Sequence, residues 1–151
     1  MQTIVYRYNK ISSSIFTIGL LGIIVCSLPS LIKFINNHDT INWLLILIFN
    51  LLFGLMLLYI VIKQLIPALQ NKIALELNKT GIVSYVKNIV VEWKDIEHID
   101  LRRTRTSSLL YITFKWETDH GNHIRIPLGF VGGSDSNIYN NAIDYLKKAT
   151  S

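Results

Sequence analysis

The sequence predicts two parts: a membrane-spanning α-helical hairpin and an α+β domain. The domain is expected to be an antiparallel sheet or barrel of about six to seven strands with a C-terminal helix. Three observations predict this. First, charge is unevenly spread. The chain is 17% charged, but residues 1–66 hold only Arg7, Lys10, Lys33, Asp39 and Lys63, and residues 67–151 hold the other twenty. Second, the charge-poor half contains two long stretches with no charge at all. Third, apolar residues in the other half alternate with polar ones over several short runs and then change to a helical period. These features exclude a wholly soluble enzyme and an intrinsically disordered chain. They divide the chain into a segment 1–10, a hairpin 11–66 and a domain 67–151.

In the first ten residues, Ile4, Val5, Tyr6 and Tyr8 are placed to add a strand to the domain. Lys10 and Lys33 then bracket 22 uncharged residues, and Asp39 and Lys63 bracket 23. A spanning helix needs about 20 mostly apolar residues, because ~30 Å of hydrocarbon is crossed at ~1.5 Å per residue. The spans are expected near 11–32 and 41–63. In the second, only Thr40, Asn42, Asn50 and Gly54 interrupt the apolar run, and Trp43 and Tyr59 lie near its ends, where amphipathic rings favour the interface. The first is less apolar, and Pro29 is expected to kink it or end it early. A signal peptide fits the first span less well than a retained helix. No A-x-A-like site follows it, Val25 stands before Cys26 where a lipoprotein site needs a small residue, and a second span comes at once. A buried hairpin in a soluble protein is the other alternative, but paired charge-free runs of this length are characteristic of membranes.

The short polar link Lys33–Thr40 forces an antiparallel hairpin, so both chain ends lie on one side. Arg7, Lys10, Lys63 and Lys72 flank that side, which places both termini in the cytoplasm by the positive-inside rule. Gly19, Gly22 and Gly54 read as close helix packing, and Asn50 as a polar contact across the hairpin or a site for a partner helix, an ion or a toxin. Cys26 has no second cysteine to pair with.

Pro67 is expected to mark the exit from the membrane. Strands follow at 73–77, 82–86, 89–93 and 99–103, separated by the turns Asn78-Lys79-Thr80-Gly81 and Lys87-Asn88 and by a bend at Asp95-Ile96-Glu97. The clearest hairpin comes next. Leu110, Ile112, Phe114 and Trp116 alternate with Tyr111, Thr113 and Lys115, and after a loop at 118–122 Ile124, Ile126 and Leu128 alternate with His123, Arg125 and Pro127. Gly132-Gly133-Ser134-Asp135 ends the sheet and caps a helix whose Ile138, Ala142, Tyr145, Leu146 and Ala149 share one face.

Leu75, Leu77, Gly81, Ile82, Val91, Trp93, Asp95 and Ile96 form the pattern strand, N-x-x-G-I turn, strand, W-x-D-I bend. With the preceding hairpin and the final helix, the chain resembles small bacterial membrane proteins that carry a pleckstrin-homology-like domain. The resemblance covers most of the chain, but its motifs are structural. It implies that Trp93 and Ile96 pack in the core, that Asp95 bonds turn backbone, and that the protein binds or scaffolds rather than catalyses. It implies the bacterial inner membrane, and as ligands lipids, peptides or proteins.

Arg102, Arg103 and Arg105, followed by Thr106-Ser107-Ser108, are the candidate binding residues. Arginines there suit anionic lipid or a protein partner, at about 1 kcal/mol per charge near an anionic surface. The competing reading is a solvated strand end beside Glu97 and Asp100. Nucleic acid is not expected, since residues 67–151 hold eleven basic and nine acidic residues and no recognised motif. His98, His120 and His123 lack the pattern of a metal site, Asp95, Glu97 and Asp100 give no reason to be paired, and no cofactor fingerprint is present. The reading is therefore a non-enzymatic, membrane-anchored binding module. A second reading is an immunity protein that blocks a competitor's membrane-acting or cytoplasmic toxin, and a third is a subunit of a larger membrane complex or a homo-oligomer, with Asn50 and the glycines as docking points.

Overall fold

The computed structural model describes residues 2–36, 40–105, 107–118 and 121–150. The chain divides into two units, Lys10–Gln70 and the pair Met1–Asn9 with Asn71–Ser151. The expected link residues Asn37, His38 and Asp39 lie outside the described residues.

The first unit is helical. Helix α1 (Lys10–Asn36) and helix α2 (Thr40–Ile60) pack against each other, and α2 continues through a π-helical turn (Val61–Leu65) into a short helix α3 (Ile66–Leu69). Both long helices are long and apolar enough to cross a membrane. Leu44, Leu45, Leu51, Leu52, Leu55 and Leu58 are exposed on α2, so this helix leaves most of its leucines outside any core of the unit. Pro29 lies inside α1, and the helix runs on to Asn36 rather than ending early. Proline costs the helix about 3 kcal/mol. The proline removes one intrahelical hydrogen bond, whereas ending the helix there would forfeit those of residues 30–36, so continuation is the lower-energy choice. Pro67 is crossed in a different way. Its ring would clash with the carbonyl four residues back in a regular helix. The turn before it is widened, with the Ile66 N–H bonded to the Val61 carbonyl, and the helical path persists to Leu69 instead of ending at the proline.

The second unit holds seven strands and one helix. In order they are β1 (Ile4–Arg7), β2 (Ile73–Leu77), β3 (Gly81–Ser84), β4 (Ile89–Glu92), a 3-10 turn (Trp93–Asp95), β5 (Ile96–Arg103), β6 (Ser108–Thr118), β7 (Gly121–Pro127) and α4 (Asp135–Thr150). They form two antiparallel sheets, β1-β2-β3-β4 and β5-β6-β7. The N-terminal segment is thus an edge strand of the first sheet, paired Ile4 to Leu77 through Arg7 to Ile73, although the whole helical unit separates β1 from β2 in the chain. The sheets stay open rather than closing into one barrel. At one corner the chain after β7 meets β1: Tyr8 bridges Val131, the Asn9 N–H bonds the Phe130 carbonyl, and the Gly132 N–H bonds the Arg7 carbonyl.

The core follows the alternation. Leu75, Leu77, Ile82, Ile99, Leu110, Ile112 and Ile126 are fully buried, and α4 adds Ile138 and Ala142. Ala149 is exposed at the end of α4 and does not share that face. A bulge between Ile96 and His98 lets Ile96 and Ile99 both point inward, with Glu97 and His98 exposed between them. The expected bend is displaced accordingly. The 3-10 turn takes Trp93–Asp95, and Ile96 already belongs to β5.

Candidate functional site

The W-x-D-I corner is built around a side chain that the sequence placed only within a turn. The Asn78 Oδ1 accepts from the backbone N–H groups of Thr80 and Gly81, both at 3.0 Å, and its backbone carbonyl accepts the Trp93 indole N–H at 2.8 Å. Gly81 pairs with Glu92 so closely that a Cβ there would sit 2.0 Å from the Val91 carbonyl oxygen. Trp93 and Ile96 are buried, and Tyr145 of α4 lies with its ring 5.8 Å from that of Trp93. Asp95 does not take the expected role. Among the described residues its carboxylate holds no turn backbone, and the 3-10 turn is closed by the Ile96 N–H on the Trp93 carbonyl. This corner is structural and holds the two sheets and α4 together.

In the hairpin, Asn50 reaches α1. Its Nδ2 donates to the Ile46 carbonyl at 2.8 Å, which leaves Oδ1 facing Ser27 Oγ at 2.7 Å. Ser27 has one proton to share between that oxygen and the Ile24 carbonyl, also at 2.7 Å. The glycines do not pack in the way their sequence positions suggested. A Cβ added to Gly19, Gly22 or Gly54 meets nothing within 4 Å, so their faces are open within the hairpin.

The arginine trio is dispersed by strand alternation. Arg103 donates to Ser136 Oγ at 2.8 Å, at the start of α4. Arg105 is exposed in the β5–β6 connection, where Thr106 lies outside the described residues. Arg102 turns to the outward face of the second sheet, its guanidinium carbon 3.7 Å from the centre of the Tyr111 ring. There it meets residues that stand in the sequence as the polar half of a hairpin. Tyr111 pairs with Arg125, whose guanidinium lies 5.8 Å from the same ring. The His123 ring stacks on Tyr111 at 4.9 Å and 19°, and its Nε2 lies 3.3 Å from Arg125. Next to them on β5, His98 and Asp100 pair at 3.0 Å, so Asp100 has a partner on its own strand. His120 lies outside the described residues.

The result is a flat cationic plate, Arg102, Tyr111, His123 and Arg125, carried by three adjacent strands. Each guanidinium over the ring adds about 0.5–1 kcal/mol at an exposed site, which orders the arginines without consuming their hydrogen bonds. Neither arginine has a carboxylate partner among the described residues. Beside the plate is a cavity of about 310 Å³ lined by Lys87, Ile89, His123, Ile124 and Arg125. The signal for the plate was present in the sequence. Once Leu110 faces Ile126, Tyr111 must face Arg125.

No protein-family model, curated protein or solved structure matches the chain.

Proposed function

We propose that this protein is a non-enzymatic binding module anchored by its helical hairpin in a bacterial inner membrane, with both termini cytoplasmic. In this reading its sheet domain has a pleckstrin-homology-like plan, and the Arg102–Tyr111–His123–Arg125 plate docks on anionic lipid of the inner leaflet. Two long apolar helices, a four-stranded and a three-stranded antiparallel sheet and a terminal helix support the plan. The plate carries the docking role, because two guanidinium groups held over one ring present unpaired charge in a fixed plane. Only residues 70–72 separate α3 from β2, so the anchor holds the domain at high effective concentration near the surface.

The test uses the full-length protein in nanodiscs of phosphatidylcholine with and without phosphatidylglycerol, with cross-linking or fluorescence reporting domain–lipid contact. Contact is expected only with phosphatidylglycerol, weakening with salt as surface electrostatics do. It should fall with Arg102→Gln and Arg125→Gln, by about 1 kcal/mol for each charge. Contact that ignores both lipid charge and these substitutions sinks the docking role.

A further inference from the structure

Two of the four sheet edges, those of β1 and β5, have neighbours. The residues after β7 bond to the end of β1 and the residues that follow it, and α4 is packed against β5. The outer edges of β4 and β7 have no backbone partner among the described residues. The 310 Å³ cavity lies at both of these edges. Lys87 and Ile89 line it from the β4 side, and His123, Ile124 and Arg125 from β7. Consecutive residues of a strand point to opposite faces. A cavity shared by residues 123, 124 and 125 therefore lies off the edge of β7 and not over either face of its sheet.

We propose that this gap takes an extended segment of a protein partner, added as a strand along the β7 or β4 edge, with acidic and apolar side chains in alternation. The unpaired edge supplies main-chain donors and acceptors, the usual source of affinity in strand addition. The edge of Ile124, otherwise packed on the inward face of β7, and the half-buried Ile89 offer apolar contact to alternate side chains of the segment where it passes them. Lys87, His123 and Arg125 meet the intervening ones, and no carboxylate lines the cavity among the described residues. The chemistry selects a pattern and not merely a charge. A lipid headgroup could use the cations but not the strand edges.

The experiment uses full-length protein in phosphatidylcholine nanodiscs. The probes are two labelled, end-capped peptides of equal composition, one alternating glutamate and valine and the other with glutamates and valines in separate blocks. The alternating peptide is expected to bind at least about tenfold more tightly, and Lys87→Gln and Arg125→Gln each to weaken it by about tenfold. Hydrogen exchange is expected to slow at amides of residues 89–92 or 123–125 on binding. Lys87 lies in an exposed turn, so its variant keeps the test open if Arg125→Gln perturbs the sheet. Equal binding of the two peptides, no binding, or full displacement by phosphatidylglycerol without amide protection overturns the proposal. Arg102→Gln separates the two readings, since it should impair lipid docking and leave the alternating peptide bound.

Discussion

Gly81 shows how one missing side chain sets the spacing of a sheet. The Val91 carbonyl carbon and the Glu92 Cα would lie 2.8 and 2.9 Å from an added Cβ, in addition to the oxygen at 2.0 Å, and all three belong to backbone that cannot rotate away. Alanine there must push β4 from β3 and disturb the Asn78 turn and the Trp93 indole bond that depend on it. Gly81→Ala is expected to lower stability by about 1–3 kcal/mol, as overpacking does. Thermal unfolding of the detergent-solubilised protein, followed by tryptophan fluorescence, checks this. Gly129→Ala is the control. Its nearest contact would be Ser107 Cβ at 3.9 Å, and a change within about 0.5 kcal/mol is expected. Equal losses from the two variants would show that the close approach is not what requires glycine at 81.

At the scale of elements, local periodicity decided what could be read in advance. The alternation Leu110–Ile112–Phe114 and Ile124–Ile126 predicts buried faces, and those residues are buried, but Trp116, which continues the same alternation, is exposed where β6 runs beyond its regular pairing with β7. Arg102, Tyr111 and Arg125 are far apart in sequence, so the plate emerges only once the register of the paired strands is fixed. Arg102 and Arg103 are adjacent in sequence, yet neighbours on a strand face opposite ways, so one reaches Tyr111 and the other α4. Asn50 was legible as an anomaly in an apolar helix, but Ser27 was not, since serine is unremarkable there. Their bond is expected to contribute about 0.6 kcal/mol and at most about 1.7 kcal/mol to helix association. A double-mutant cycle of Asn50→Leu and Ser27→Ala, measured by unfolding in mild detergent, reads that coupling directly. Additive losses would mean that Ser27 gives its proton to the Ile24 carbonyl instead.

For the whole molecule, the discontinuous domain has a definite consequence. The sheet unit contains residues on both sides of the helices, and its two chain crossings are already neighbours. Arg7 pairs with Ile73, and the Tyr8 N–H bonds the Lys72 carbonyl at 3.2 Å. Replacing Lys10–Gln70 by two glycines would therefore turn β1 and β2 into an ordinary hairpin with a short loop. That protein is expected to be water-soluble and to unfold in one cooperative step, because the buried core residues from Ala74 to Tyr145 all remain. A fragment starting at residue 71 should behave worse. It lacks β1 and so leaves the β2 edge unpaired, it removes the Tyr6 hydroxyl that accepts from Asn141 Nδ2 at 2.7 Å, and it uncovers residues around Val131 that Tyr8 covers. Denaturant melts and size-exclusion profiles of the two proteins decide the point. If the fragment without residues 1–9 is as stable and as monodisperse as the glycine-linked protein, β1 is an accessory to the sheet; if it aggregates or melts earlier, the domain needs both sides of the hairpin to be complete.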